Sequence, residues 1–502
     1  MRIASLKIDT SHLTANEEAL LRCQAALELK DKGDYERSQA VMSPFWQQLG
    51  EPPDTKGLHP SVAAEVLLCI GVLTCWIGSK RQVKGAQDAA RDLISQSITC
   101  YGAIGDIKKI ASARVELAYC YWCDGALDEA RIVFTEALQR LTTPGNTRAR
   151  ALLGLAVVEW SASRYSEALK ILSDNSPLFK NITNHATKGA YHSQLAMVFR
   201  NLATPENKKD YYQRAIAEYQ AADHEFKLAH NSVFRSDVKN NVGFLLYKLA
   251  RLKEAQRFLG EARRLTVLLR DKVRTAQIDD TRAQVFIAER KFKEAEAIAK
   301  GAVKVLEKSG HQCLLTDALI TYGIALARLK QSERAQFTFQ KAIDVAHQVG
   351  ALNKAGLAAL SLIEELDELS PEASYAAYER ASDWLSKSQS QDLLLRLNAA
   401  ARKVFFKLSR ELNAEQATES LINRPCRLQT EVLKFEGSLI RQALAQSNGS
   451  VTRAALLLGM SYQGLAYVIG SRHKDLLKER SPIRRRARKD REAKEDQGGN
   501  QV

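Results

Sequence analysis

Proline is scarce in this sequence, ten residues in 502. The residue that removes a backbone donor and breaks helices is nearly missing, whereas Ala, Leu, Glu, Lys, Arg and Gln, which lose little side-chain freedom in a helix, are frequent. An all-α fold is the first expectation. Long apolar runs are also lacking. The most hydrophobic stretch, Val62 to Gly78, is broken by Glu65 and falls short of the ~20 residues a membrane helix needs, so it reads as a buried core helix and no membrane partner is expected. The opening Met1-Arg2-Ile3-Ala4-Ser5-Leu6-Lys7 carries neither the apolar segment nor the cleavage pattern of a secretory signal, which points to the cytoplasm. Eight cysteines are scattered along the chain rather than arranged as a disulfide framework, and they read as small core residues.

Sequence patterns that carry chemistry are missing as well. Cys120-Tyr121-Trp122-Cys123 has CxxC spacing, but it falls at the end of an expected helix and no second Cys/His pair follows at metal-site spacing. His185 and His192 are seven apart without the HExxH pattern that sets two ligands on one helix face. Gly78-Ser79-Lys80 has the wrong order for a phosphate-cradling loop and lacks its upstream glycine, and no GxSxG elbow occurs. No catalytic residue, metal or cofactor is expected, and the chain does not read as an enzyme.

The formal net charge is +15, which is informative only where it is concentrated. Between Arg472 and Arg491 ten Lys and Arg face three acidic residues, so about half of the excess lies in one short terminal stretch.

A turn signature recurs through most of the chain: Gly33-Asp34-Tyr35-Glu36-Arg37-Ser38, Gly125-Ala126-Leu127-Asp128-Glu129-Ala130, Arg164-Tyr165-Ser166-Glu167-Ala168, Arg251-Leu252-Lys253-Glu254-Ala255, Lys291-Phe292-Lys293-Glu294-Ala295 and Gln331-Ser332-Glu333-Arg334-Ala335. With weaker copies near Ala86, Ala215 and Ala373, the closing small residue returns about every forty residues, which predicts about nine helical pairs. The alanine lets two helices approach closely, and the preceding Tyr, Leu or Phe is expected to plug the groove beside it. On these residues, most clearly in Asn241 to Leu265 and Ile278 to Leu306, the array over 14–410 resembles tetratricopeptide repeats. The unit of that family has about 34 residues, so the helices here must be longer or their connections wider. The resemblance implies an α-solenoid whose concave surface holds a protein or peptide partner.

The rhythm stops after residue 410. Residues 411–430, polar and containing Pro425, read as a linker. In 431–480, Val432, Phe435, Leu439, Ile440, Ala443 and Leu444 recur at helical spacing up to Asn448-Gly449, a left-handed cap. Ser450 can cap a second helix, Val451 to Leu458, with small Ala454 and Ala455 inside and Gly459 supplying a positive-φ turn. Ser461 stands where a third helix needs its N-cap. Ala454, Leu458, Met460, Leu465 and Val468 are the expected inward positions, leaving Tyr462, Gln463, Ala466 and Tyr467 outward. Residues 481–502 read as a basic, disordered tail.

The run Asn448-Gly449-Ser450-Val451-Thr452-Arg453-Ala454-Ala455-Leu456-Leu457-Leu458-Gly459 resembles the Fis-type helix-turn-helix domain, over about fifty residues. That resemblance implies binding of double-stranded DNA, with Thr452 and Arg453 toward phosphates and Ser461, Tyr462, Gln463, Gly464 and Tyr467 as base and backbone contacts. Two features depart from the family. Tyr462 to Gly470 carries no charge, the positive charge following instead in Arg472, Lys474, Arg484, Arg485 and Arg486, and the nucleotide-binding module of enhancer-binding activators is missing. Reading by the amide and tyrosines with affinity from flanking cations is chemically consistent, because phosphates dominate affinity and bases specify. The expectation is a sequence-specific bacterial transcriptional regulator in the cytoplasm, nucleoid-associated and homodimeric. The alternative is a repeat scaffold that tethers partners to DNA without promoter-specific regulation.

Overall fold

The computed structural model describes residues 12–386, 391–417 and 428–481. Every regular element in them is helical. The chain divides into two units, residues 1–411 and 412–502.

Among the described residues, the first unit is a tetratricopeptide-like solenoid of nine successive helical pairs. They are α1 (Ala15–Asp31) with α2 (Tyr35–Val41), α3 (Pro60–Arg81) with α4 (Ala86–Ile104), α5 (Ile107–Cys123) with α6 (Leu127–Arg140), and α7 (Asn146–Ser161) with α8 (Tyr165–Asp174), after which a short α9 (Ser176–Asn181) is interposed. There follow α10 (His185–Leu202) with α11 (Lys208–Leu228), α12 (Ser232–Lys248) with α13 (Leu252–Leu268), α14 (Lys272–Ala288) with α15 (Phe292–Leu306), α16 (Gln312–Arg328) with α17 (Ser332–Gln348), and α18 (Leu352–Glu365) with α19 (Pro371–Leu385). A long α20 (Gln391–Ala417) covers the open end, burying Ala400 and Val404 against the last pairs and pairing Arg396 with Glu364 at 2.7 Å. The extra length of the repeat lies in the helices, most of which have 17 residues between α12 and α17, rather than in the connections. Because α20 extends through Ala417 and the next helix begins at Leu428, both edges of the expected 411–430 linker are helical.

Each helix of the middle repeats ends in the same left-handed turn. His230, Ala250, Arg270, Arg290, Gly310, Lys330 and Gly350 all have positive φ, and in most the next N–H reaches back to a carbonyl five residues earlier, as in Arg251 N to Leu246 O at 2.9 Å and Gln331 N to Leu326 O at 3.0 Å. The backbone period is therefore twenty residues, half of the side-chain period. The groove plug differs from the expected residue. Leu127, Tyr165, Leu252 and Phe292 are only half-buried, whereas Phe134, Leu172, Leu259 and Phe339, four residues after the alanine, are fully buried. Glycines receive several of these side chains: a Cβ at Gly243 would lie 2.5 Å from Leu259 Cγ, and one at Gly323 2.8 Å from Phe339 Cε1. The plug follows the alanine by one helical turn because the two helices cross there, where the glycine removes the obstructing Cβ.

Helix α3 is long and apolar enough to cross a membrane, yet 78% of its most apolar stretch is buried inside the solenoid. Cys120 and Cys123 at the end of α5 meet Cys75 of α3. Hydrogen bonding to Cys120, opposed by Cys123, and then burial push Cys75 far above the ordinary thiol range, and hydrogen bonding to Cys75 and then burial do the same to Cys123, so both stay protonated and weakly nucleophilic. His185 and His192 pair with Glu225 and Glu218 of α11, each at 2.7 Å.

A solenoid usually contacts only neighbouring repeats, but this one also closes on itself. Asn231 caps α12 by accepting from Phe234 N at 2.9 Å and donates through Nδ2 to the carbonyl of Asp31, two hundred residues earlier, at 2.5 Å. The turn at Gly33 lies against Val233. The first five pairs thus complete one superhelical turn, and the sixth rests on the first.

Candidate DNA-binding module

The second unit is built on α21 (Leu428–Gln446), α22 (Val451–Leu457), α23 (Tyr462–Ser471) and a 3-10 turn, Lys474–Glu479. Asn448 and Gly449, at φ 50° and 75°, stop α21, and Gly449 N–H returns to Leu444 O at 2.8 Å. Ser450 Oγ accepts from Arg453 N at 3.5 Å and starts α22. Gly459, at φ 63°, makes the turn, and Ser461 Oγ accepts from Gly464 N at 3.0 Å to start α23. The two helices meet at 105°, within the range of helix-turn-helix units.

Their core is Ile440, Ala443, Leu444, Val451, Ala454, Ala455, Leu465, Ile469 and Leu476, with Leu458, Ala466 and Val468 packed against it. Two expected placements are corrected. Met460 is exposed because the turn swings its side chain away from the helix crossing, and Ala466, expected outward, is half-buried. Along α21 the apolar residues divide by position along the helix: Ile440, Ala443 and Leu444, toward its end, are buried, whereas Val432, Leu433, Phe435 and Leu439, nearer its start, are exposed.

Tyr462, Gln463 and Tyr467 stand on the exposed face of α23, Tyr467 with 72% of its surface accessible. Thr452 and Arg453 are exposed in the first turn of α22. The Ser461 hydroxyl is engaged as the cap, and Gly464 lies half-buried beside it. Arg472 is exposed and 3.5 Å from Glu436, and Lys474 is exposed. Arg484, Arg485 and Arg486 lie outside the described residues.

The sequence reading missed the seam that follows α23. His473 is buried, its Nε2 2.8 Å from Glu436 Oε2, and a Cβ on Gly437 would approach its ring to 3.0 Å. Arg441 holds Asp475 at 3.1 Å and Glu479 at 2.9 Å, which turns two acidic groups of the basic stretch toward α21. Ser481 N then donates to Gly449 O at 2.9 Å and its Oγ to Asn448 O at 2.7 Å. Leu476, seven residues after Ile469, was the one available signal: the apolar spacing continues past the helix end.

This arrangement is a helix-turn-helix of Fis type, a DNA-binding fold. Residues 432–468 match the family described as bacterial regulatory protein, Fis family. No curated protein matches the sequence. Among solved structures, the chain is similar to a Rap protein complexed with competence and sporulation factor, at 13% identity over 70% of this chain and 98% of that one, with a TM-score of 0.45. It is also similar to the apo form of the quorum sensor NprR from B. thuringiensis, at 15% identity over 67% and 90% with a TM-score of 0.46. A thermophilic tetratricopeptide protein of Thermus thermophilus is 18% identical over 43% and 98%, with a TM-score of 0.33.

Proposed function

We propose that the chain is a sequence-specific DNA-binding regulator of bacterial transcription, acting in the cytoplasm at the nucleoid. The observation that carries this is the outer face of α23: a capped helix, set at 105° to α22, that presents Tyr462, Gln463 and Tyr467 without a charge among them. Such a face discriminates bases through an amide and two phenols, while Thr452, Arg453, Arg472, Lys474 and the arginines at 484–486 supply phosphate affinity. The exposed Val432, Leu433 and Leu439 of α21 give a second copy an apolar face to cover, which would place two modules on half-sites about one helical turn apart. Selection of random duplexes by the full-length protein should enrich a two-part motif with that spacing, and mapping of bound DNA in cells should return it at promoters. Enrichment of no motif would leave a tethering scaffold.

Truncation after Pro482 should weaken binding to all duplexes by a similar factor and flatten the salt dependence, by about 0.9 in the log–log slope for each phosphate contact removed. An unchanged slope would take the tail out of the interface.

The partner of the repeats is an extended peptide in the groove of the second superhelical turn, a cavity of about 620 Å³. Asn241, Thr281, Thr321 and Ser361, forty residues apart, form a polar ladder along it. Beside the ladder the buried Asn240 and Asp280 each keep one side-chain oxygen without a hydrogen-bond partner, as acceptors for peptide N–H groups. Burial above all pushes the Asp280 carboxyl up to about 7, the nearby Asp317 adding to it against Thr321, Gln284 and Lys354. An unfolded aspartate titrates near 4, so the folded state holds a proton that the unfolded state has released. Stability from this group is then complete below about pH 4 and falls as pH rises toward 7. Asp280→Asn should remove that decline and stabilise the protein at pH 7.5 by about 1 kcal/mol, a gain held down because the amide needs partners of its own. Denaturant midpoints across pH would read this, and an unaltered decline would acquit Asp280.

A further inference from the structure

The first superhelical turn encloses a cavity of a different kind, of about 430 Å³. Its walls include Trp76, Tyr119, Trp122, Trp160, Phe226 and Phe234. Three of the chain's five tryptophans are therefore gathered around one space. The charged groups at its edge are already neutralised. Lys30 pairs with Asp31 at 2.9 Å, Arg150 with Glu116 at 2.5 Å, and Asp237 with Arg274 at 3.0 Å. The polar ladder of the second turn reaches this cavity only with its first member, Asn241. Thr187, Ser193 and Gln194 add uncharged polar groups to the wall, and of these Gln194, 6% exposed, keeps its Nε2 donor unpartnered.

We propose that this chamber is a binding site for a neutral, ring-bearing small molecule with a hydrogen-bond acceptor for Gln194. Three features of the chamber select such a ligand. Aromatic walls offer π-faces and edges to a planar ring. The cancelled charges give an ionic ligand no counterion to exchange for its hydration. A buried unpaired amide donor is costly until an acceptor meets it. The Asn231–Asp31 contact closes the chamber at the side where an open solenoid would let a long polypeptide run on. The volume lies within the range of about 300–1,000 Å³ usual for small-ligand sites. This site shares only Asn241 with the peptide groove and its Gln194 and aromatic walls lie outside that groove, so it holds or fails without the groove or the DNA-binding module.

The test uses the full-length protein and prodan, a neutral naphthyl ketone whose emission shifts to the blue in an apolar site. Saturable one-to-one binding with energy transfer from tryptophan is expected. Ala190→Trp, which fills the cavity from α10, should weaken binding by about tenfold or more, and Ser193→Leu, filling the same wall with a smaller side chain, gives a second reading if the first variant does not fold by circular dichroism. Gln194→Leu should weaken prodan by about fivefold while leaving dimethylaminonaphthalene, which lacks the ketone, unaffected. Absence of saturable binding, or binding indifferent to a folded filling variant, would overturn the site. So would equal losses for ketone and ketone-free probes in Gln194→Leu, or saturation by a tryptophan-bearing pentapeptide where prodan fails.

Discussion

Gly449→Val should abolish DNA binding while the solenoid retains its thermal transition. At φ 75° a β-branched residue is strained to begin with. The larger effect is steric: a Cβ there would stand 2.6 Å from Ser481 N and 2.8 Å from Glu479 O, both backbone atoms that cannot rotate away. The same residue's carbonyl accepts the Ser481 N–H, so relieving the clash also breaks the bond that closes the module after the 3-10 turn. Strain, clash and lost closure together are worth on the order of 3 kcal/mol or more, a large share of what a fifty-residue helical module commands. The neighbouring turn supplies the control. Gly459 also has positive φ, but a Cβ there meets nothing within 4 Å. Gly459→Val therefore bears only left-handed strain, about 1–2 kcal/mol, and should bind DNA with a lowered melting point. Calorimetry together with duplex binding separates the two variants. Full binding by Gly449→Val would show that the return of Ser481 to this turn does not hold the module together.

The contrast marks what the sequence could convey. Turn and cap residues at 448–450, 459 and 461 were legible because Gly, Asn and Ser act locally, through φ and through hydrogen bonds to the next few N–H groups. The partner that makes Gly449 critical comes from Ser481, and the carboxylate that buries His473 comes from Glu436, both brought in by tertiary folding. The solenoid follows the same division. Its forty-residue rhythm appears in side chains, but the twenty-residue backbone rhythm is hidden because His230, Ala250, Arg270, Arg290 and Lys330, none a turn-former by type, occupy left-handed positions. There the helix-terminating hydrogen bond, repeated in each copy, offsets a local preference. The glycines at 243 and 323 read locally as weak points in helices and become intelligible only opposite Leu259 and Phe339. Closure of the first turn through Asn231 and Asp31, and with it the aromatic chamber, has no local signature at all.

For recognition itself the proposed base reader is Gln463. Gln463→Ala should relax base choice more than it lowers affinity. The side chain is exposed on the first turn of α23, one residue beyond Tyr462 and four before Tyr467, so its amide projects from the end of the helix that meets base edges when such a helix enters the major groove. A glutamine amide matches the paired donor and acceptor of an adenine edge, and losing that match should cost about 1–3 kcal/mol of discrimination at one base pair. The module provides an internal comparison in Arg453, exposed in the first turn of α22 and proposed above to contact phosphate. Arg453→Ala should weaken good and poor sites alike and lower the salt slope by about one contact. Neither side chain packs in the core of the module, so both variants should fold as the parent does. Site selection by each variant at one fixed salt concentration, compared position by position with the parent, distinguishes the roles. If every preference survives Gln463→Ala, the two tyrosines read the bases or the duplex is bound by shape. Tyr467→Ala decides between these, since it should erase a preference in the first case and none in the second.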